Sequence, residues 1–383
     1  MYGDLGGKHG KKRKNSIFTI CFSLALLLLG FFGGFLLGER MDQNGLSFEI
    51  SIFTILLDIL IFYFSFIIQV VIHEAGHLIF GLISGYEFIS FRVGSITIVK
   101  DEGKFKLKKF KIKGTGGQCL MMPKTSNYEE LRYILYNLGG ILMNAITSII
   151  SLIVLMSVDT NKYIKVILFT LIFVGVLFII TNGIPMKFGG ISNDGYNTIA
   201  ISRDKFIKYC FYIQLKVNGL AYKGIRIKDM PIEWFNIEDG IDLNNPMVTC
   251  LRIMEANYYQ DKLNFDITKE CYENILDTTP HIVKLYENEI KCELLFYEIL
   301  NGNMEKVDEL YTRELQNYIK VTDCYISRKR LMYVYNLIVL KDKKKADKVL
   351  GEFEKVKKSY PVKSEIESEE EIMNFILDNI KVV

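Results

Sequence analysis

Long unbroken apolar runs fill the first half of this chain, and charged sequence with a helical period fills the second. A bilayer core of about 30 Å takes roughly 20 apolar residues in a helix. Four stretches are long enough: Ile17–Leu37, Ile59–Ser84, Tyr133–Val158 and Tyr163–Thr181. Between the second and third, the pattern changes to alternation. Ile89, Phe91 and Val93, then Ile96 and Ile98, then Phe105 and Leu107, then Phe110 and Ile112 alternate with polar residues and predict short strands. Asp101-Glu102-Gly103 supplies a hairpin turn between two of them. From Pro246 on, amphipathic helices of roughly 12–18 residues follow one another, with breaks at 279–281, Asn301–Gly302 and 318–322.

These patterns predict an α-helical polytopic membrane protein of about four spans. Three of them form a core with a small β hairpin at its cytoplasmic face, and a C-terminal all-α cytoplasmic domain follows. The division reads as a basic segment and anchor span (1–48), a membrane core (49–200), a juxtamembrane connector (201–245) and a helical domain (246–383). Within the last, Leu300–Tyr311 and Leu340–Phe353 look alike at a spacing near 40. That allows either helix-pair repeats similar to tetratricopeptide arrays or an irregular helical bundle.

Charge sets the orientation. The net charge of +3 over 383 residues is too small to suggest a nucleic-acid partner. Locally, residues 85–126 carry nine lysines and arginines against three acids, whereas residues 39–50 set Glu39, Asp42 and Glu49 against Arg40. With "KKRK" (Lys11–Lys14) before the first run, the positive-inside rule places both termini in the cytoplasm. No small-residue cleavage site follows that run, so it reads as an uncleaved anchor, with Gly30, Gly34 and Gly38 as a packing stripe. The Lys-, Ile- and Asn-rich composition suits a bacterial plasma membrane. Seven cysteines without a Cys-x-x-Cys pair look structural.

Inside the second run stands "HEAGH" (His73–His77). Positions i and i+4 share a helix face, so both imidazoles can meet one metal ion, while Glu74 is turned about 100° away, where a general base would stand. Ionisable groups in a span are costly, and a divalent metal offsets that cost. Two histidines leave a tetrahedral zinc one protein ligand short. Asp58 is fifteen residues upstream on the same helix, over 20 Å away at about 1.5 Å per residue. Asp194 is the better candidate, in "TNGIPMKFGGISNDGYN" (Thr181–Asn197), where Asn193 can cap a new helix. An ordinary turn is the alternative there.

Together these motifs resemble the site-2 protease family of intramembrane zinc metalloproteases, peptidase family M50, over about residues 50–200. The resemblance rests on "HEAGH" in a span and on Asn182-Gly-Ile-Pro185 followed by Asp194-Gly195. "GGILMN" (Gly139–Asn144) is similar to the family's Gly-Pro-x-x-Asn element with Ile141 in place of the proline, and "GGQCLMM" (Gly116–Met122) to its glycine-led strand. Two departures stand out: a longer gap from Pro185 to Asp194, and Asn193 where a leucine often precedes the aspartate. The resemblance implies zinc held by His73, His77 and Asp194, with Glu74 as base.

Asn144 and Asn182 can bind substrate backbone or another helix. Gly117 opens a strand whose edge can take an extended substrate; alternatively, the lysine-rich hairpin caps the membrane interface and meets anionic headgroups. The implied partners are a transmembrane protein or hydrophobic peptide substrate, the lipid bilayer, and a cytoplasmic protein bound through 246–383. The competing expectation is a catalytically silent scaffold or receptor, against which the intact Glu74 argues.

Overall fold

The computed structural model describes residues 52–110, 116–188, 190–238 and 240–379. The predicted first span, with its Gly30-Gly34-Gly38 stripe, lies outside the described residues, as do residues 111–115. Three helices long and apolar enough to cross a membrane coincide with the other predicted spans: α1 (Ile52–Ile83), α2 (Tyr133–Ser157) and α3 (Lys162–Gly183). Their large apolar side chains point outward, among them Leu56, Ile59, Tyr63, Ile149, Ile153 and Met156. Polar side chains are instead buried: Ser65, Gln69 and His73 on α1, and Asn137, Asn144, Ser148 and Ser151 on α2. This is the polarity a hydrocarbon solvent selects, because an unpaired polar group facing lipid costs several kcal/mol.

The chain falls into two compact units. Among the described residues, one comprises 52–66 together with 150–174; the other comprises those from 67 to 149 and from 175 to 379 and carries the site residues. In the second unit α1 and α2 touch backbone to backbone. A Cβ on Gly76 would lie 2.2 Å from the Gly139 carbonyl oxygen, and one on Gly139 would lie 2.5 Å from the Gly76 oxygen. Only glycine permits this approach.

Directly after α1 the chain enters a four-stranded antiparallel sheet rather than a lone hairpin. Its strands are β1 (Tyr86–Val93), β2 (Ile96–Asp101), β3 (Lys104–Lys109) and β4 (Gly117–Pro123), in the order β3-β2-β1-β4. At the β2–β3 turn Asp101 pairs with Lys104, and Glu102 and Gly103 take φ of 50° and 78°. Those values belong to a two-residue I′ turn, whose twist matches that of the strands. β4 returns along β1 and occupies an edge, a long-range pairing with no local sequence signal.

A short hairpin, β5 (Lys187–Phe188) and β6 (Ile191–Ser192), leads into α4 (Asp194–Arg203). Where the sequence reads as a mixed connector, Lys205–Tyr222 forms α5, with Phe206, Ile207, Cys210, Ile213 and Val217 buried in one core with Ile89, Leu120 and Met121 of the sheet.

Successive helices then build the C-terminal region: α6 (Pro246–Asp261), α7 (Phe265–Thr278), α8 (Lys284–Leu300), α9 (Met304–Leu310), α10 (Arg313–Val321), α11 (Ile326–Val334), α12 (Lys343–Ser359) and α13 (Lys363–Asn379). Three of its turns share one design. Leu263, Gly302 and Lys341, spaced 39 residues apart, take φ of 58°, 71° and 51°. Each precedes a capping residue, Asn264, Asn303 or Asp342, whose side chain accepts from the backbone N–H three residues on. The similarity between Leu300–Tyr311 and Leu340–Phe353 thus extends to an earlier helix pair, which the leucine at the glycine position concealed. Arg330 of α11 joins the bundle's centre, bonded at 2.7 Å to Glu293 of α8 and to Glu369 of α13.

Replacing Gly139 with leucine should destabilise the membrane core by about 1–3 kcal/mol through overpacking. Gly351→Ala, an open site in α12, should instead stabilise by up to about 1 kcal/mol. Thermal unfolding in detergent micelles checks both.

Candidate metal centre

His73 and His77 stand one turn apart on α1 with their Nε2 atoms 3.2 Å from each other. Asp194, the first residue of α4, brings Oδ2 to 3.2 Å from His73 Nε2 and 3.5 Å from His77 Nε2. Each imidazole is held from behind. His77 Nδ1 lies 2.8 Å from the backbone oxygen of Tyr136, and His73 Nδ1 lies 2.8 Å from Asn144 Oδ1. Oxygen acceptors there require that both Nδ1 atoms carry hydrogen in the neutral rings, which leaves both Nε2 lone pairs facing the carboxylate.

Three acceptor atoms therefore converge. Asp194 Oδ2 is buried without a hydrogen-bond partner. Such a cluster is stable around a cation. Ligands bonded at about 2.0–2.1 Å in a tetrahedral arrangement lie about 3.3–3.4 Å apart, against the 3.2, 3.2 and 3.5 Å found here. The residues fit a metal, and two imidazoles with one carboxylate are a donor set that zinc accepts. Among the described residues, this is the group of three ligating side chains that closes in this way.

The longer Pro185–Asp194 segment explains itself. β5 and β6 fold its extra length into a hairpin turning at Gly190, with φ of 88°, and Asn193 N–H closes the base on the Met186 oxygen at 3.1 Å. Asn193 then ties the pieces together. Its Oδ1 accepts from Met186 N and Tyr196 N, and its Nδ2 donates to the oxygens of Thr181 and Ile184. A leucine could make none of these bonds. A Cβ on Gly195 would lie 2.2 Å from the Gly183 oxygen, so α4 starts directly against the end of α3. Burial opposes ionisation of Asp194, and positive charge at this centre, on a protonated imidazole or a bound cation, draws its carboxyl below the usual carboxylate range.

Glu74 stands outside the converging triad, on the side of β4. It accepts from the backbone of Cys119, and a Cβ on Gly117 would meet its Oε1 at 2.7 Å. Gly140 matters similarly, since a Cβ there would lie 2.5–2.6 Å from the His73 ring. Asn144 is wholly buried beside His73. Asn182 donates to the Phe178 oxygen of its own helix at 3.1 Å. Asp58 falls in the second turn of α1, fifteen residues before His73. Sequence reasoning missed Tyr136, whose carbonyl orients His77 and whose hydroxyl donates to the Cys119 oxygen at 3.1 Å. A backbone carbonyl leaves no mark in the sequence.

A family model, that of peptidase family M50, matches residues 61–364. The chain belongs to peptidase family M50. Curated proteins and solved structures yield no match to it. Membership makes this M50 chain a relative of the membrane metallopeptidases of the site-2 protease family, and the match begins in α1 and reaches the start of α13.

Asp194→Ala should lower bound metal per chain, measured by elemental analysis after dialysis, because it removes one of three converging donors. Glu74→Gln should leave metal content unchanged. Acidification should release the metal as the histidines protonate.

Proposed function

We propose that this M50 peptidase is a zinc-dependent intramembrane endopeptidase. It hydrolyses a peptide bond in or near a transmembrane segment of a membrane-tethered regulator or a small hydrophobic peptide precursor. The observation that carries the reading is the set of three converging acceptors, His73, His77 and Asp194, with Glu74 beside them on a helix apolar enough to span a membrane.

In this reading His73, His77 and Asp194 hold the ion. Zinc, when bound, supplies Lewis acidity, lowering the pKa of water toward neutrality and polarising the scissile carbonyl. Glu74 takes the proton of the attacking water and returns it to the departing amine. The Cys119 N–H and the bare backbone of Gly117 hold the Glu74 carboxylate in place, next to β4. A helical substrate hides its amides in its own hydrogen bonds, so cleavage needs an extended segment. β4 is an edge strand beside Glu74 and suits strand addition.

The positive-inside pattern puts the 85–126 region, and with it Glu74, toward the cytoplasm of a bacterial plasma membrane, with both termini on that side. The helical region from 246 on serves partner binding. A silent scaffold would have no need of Glu74 beside the converging donors.

Full-length protein in detergent, given a transmembrane reporter, should cleave it. Chelation should stop cleavage and added zinc should restore it. Glu74→Gln should lower the rate by at least about 100-fold, the scale of a lost general base, with zinc still bound. Full activity in that variant overturns the mechanism.

A further inference from the structure

Behind His73 lies a second layer that the catalytic reading does not use. The Asn144 amide faces His73 Nδ1 with Oδ1 at 2.8 Å. Its other end donates twice to a single residue: Nδ2 reaches Gln69 Oε1 at 2.7 Å and the Gln69 backbone oxygen at 3.1 Å. Both side chains are 0% exposed. An amide's oxygen and nitrogen have nearly the same shape, so their partners decide which way it points. A backbone carbonyl can only accept. It therefore draws Nδ2 toward residue 69 and turns Oδ1 toward His73. That oxygen in turn can only accept, so His73 Nδ1 carries the hydrogen and Nε2 keeps its lone pair for the metal.

The placement is economical. Gln69 and His73 are four residues apart on α1, so a single side chain from α2 bridges successive turns of one helix. Ser148, one turn along α2, donates to the Asn144 backbone oxygen at 2.8 Å. On α3, a Cβ on Gly175 would lie 2.2 Å from Ser148 Oγ and 2.9 Å from Gln69 Nε2. All three helices thus meet at this polar group. His77 has no such dependence, because the Tyr136 carbonyl that holds it cannot flip.

We propose that Gln69 and Asn144 are positioning residues for His73: Gln69 sets the orientation of the Asn144 amide, and Asn144 sets the tautomer and angle of the His73 ring. The inference rests on the metal-centre reading above. Partners behind a ligating histidine change metal affinity by about 10–100-fold. A mere helix-to-helix tie would change stability and leave that affinity alone.

Two readouts on the full-length protein in detergent test it. Competitive zinc titration should show Asn144→Leu binding about 10–100-fold more weakly. Gln69→Leu, which leaves the residue-69 backbone oxygen to hold Asn144 Nδ2, should fall between Asn144→Leu and the parent. Nitrogen NMR of labelled histidines in the metal-free protein should show neutral His73 with hydrogen on Nδ1, with that preference lost in Asn144→Leu and kept by His77. If Asn144→Leu binds zinc like the parent, or keeps the hydrogen of neutral His73 on Nδ1, the proposal is overturned. If the parent binds no zinc, the metal reading fails, while the tautomer of His73 still decides the relay. Should Asn144→Leu fail to fold, Gln69→Leu carries both readouts, and parent-like zinc affinity with an unchanged His73 tautomer in it overturns the proposal.

Discussion

The centre of this molecule depends on how closely α1 approaches α2. At Gly76 and Gly139 the two backbones touch, and a single added methyl on either would collide with a carbonyl. That contact brings Gly140 under the His73 ring, the Tyr136 carbonyl behind His77 and the Asn144 amide behind His73. Without it, the imidazoles would have no fixed tautomer, and their Nε2 atoms would not point at a common centre.

The same contact reconciles polarity with the bilayer. Outward side chains of the spanning helices are apolar and their inward ones include Gln69, His73, Asn144 and Ser148, each paired to another buried group. In hydrocarbon, an unpaired polar atom is heavily penalised, so a polar site survives there only when it is fully bonded or balanced by a cation. Asp194 Oδ2 is among the buried polar atoms without a hydrogen bond, and it faces two lone pairs. Its position makes chemical sense as one corner of a coordination sphere.

Much of this was legible in the chain, for identifiable reasons. Spans announce themselves by uninterrupted length, and the observed ends of α1, α2 and α3 at the sheet-side face lie within two residues of those the apolar runs suggest. His73, Glu74 and His77 are readable because helical spacing alone fixes their mutual directions. Asp101-Glu102-Gly103 is readable because its turn demands left-handed backbone at two adjacent positions. Other features depend on distant partners. α5 hides among lysines, and only the sheet it covers reveals which of its faces is buried. β4 joins β1 across a long chain separation. The sequence left Asn144 between substrate binding and helix contact, and only its two-ended hydrogen bonding sets it behind a histidine.

The β5–β6 hairpin carries a broader lesson. Its base is pinned where Met186 meets Asn193, and everything between those residues loops away and returns to the same point. The aspartate is thereby moored at the root of the excursion, so its location does not vary with the amount of chain paid out before it. Linear distance between motifs, the measure on which this segment looked irregular, is consequently a poor gauge of whether a ligand set is whole. Closure of the intervening loop is the sounder criterion, and the hairpin tip is free to lengthen without disturbing the centre.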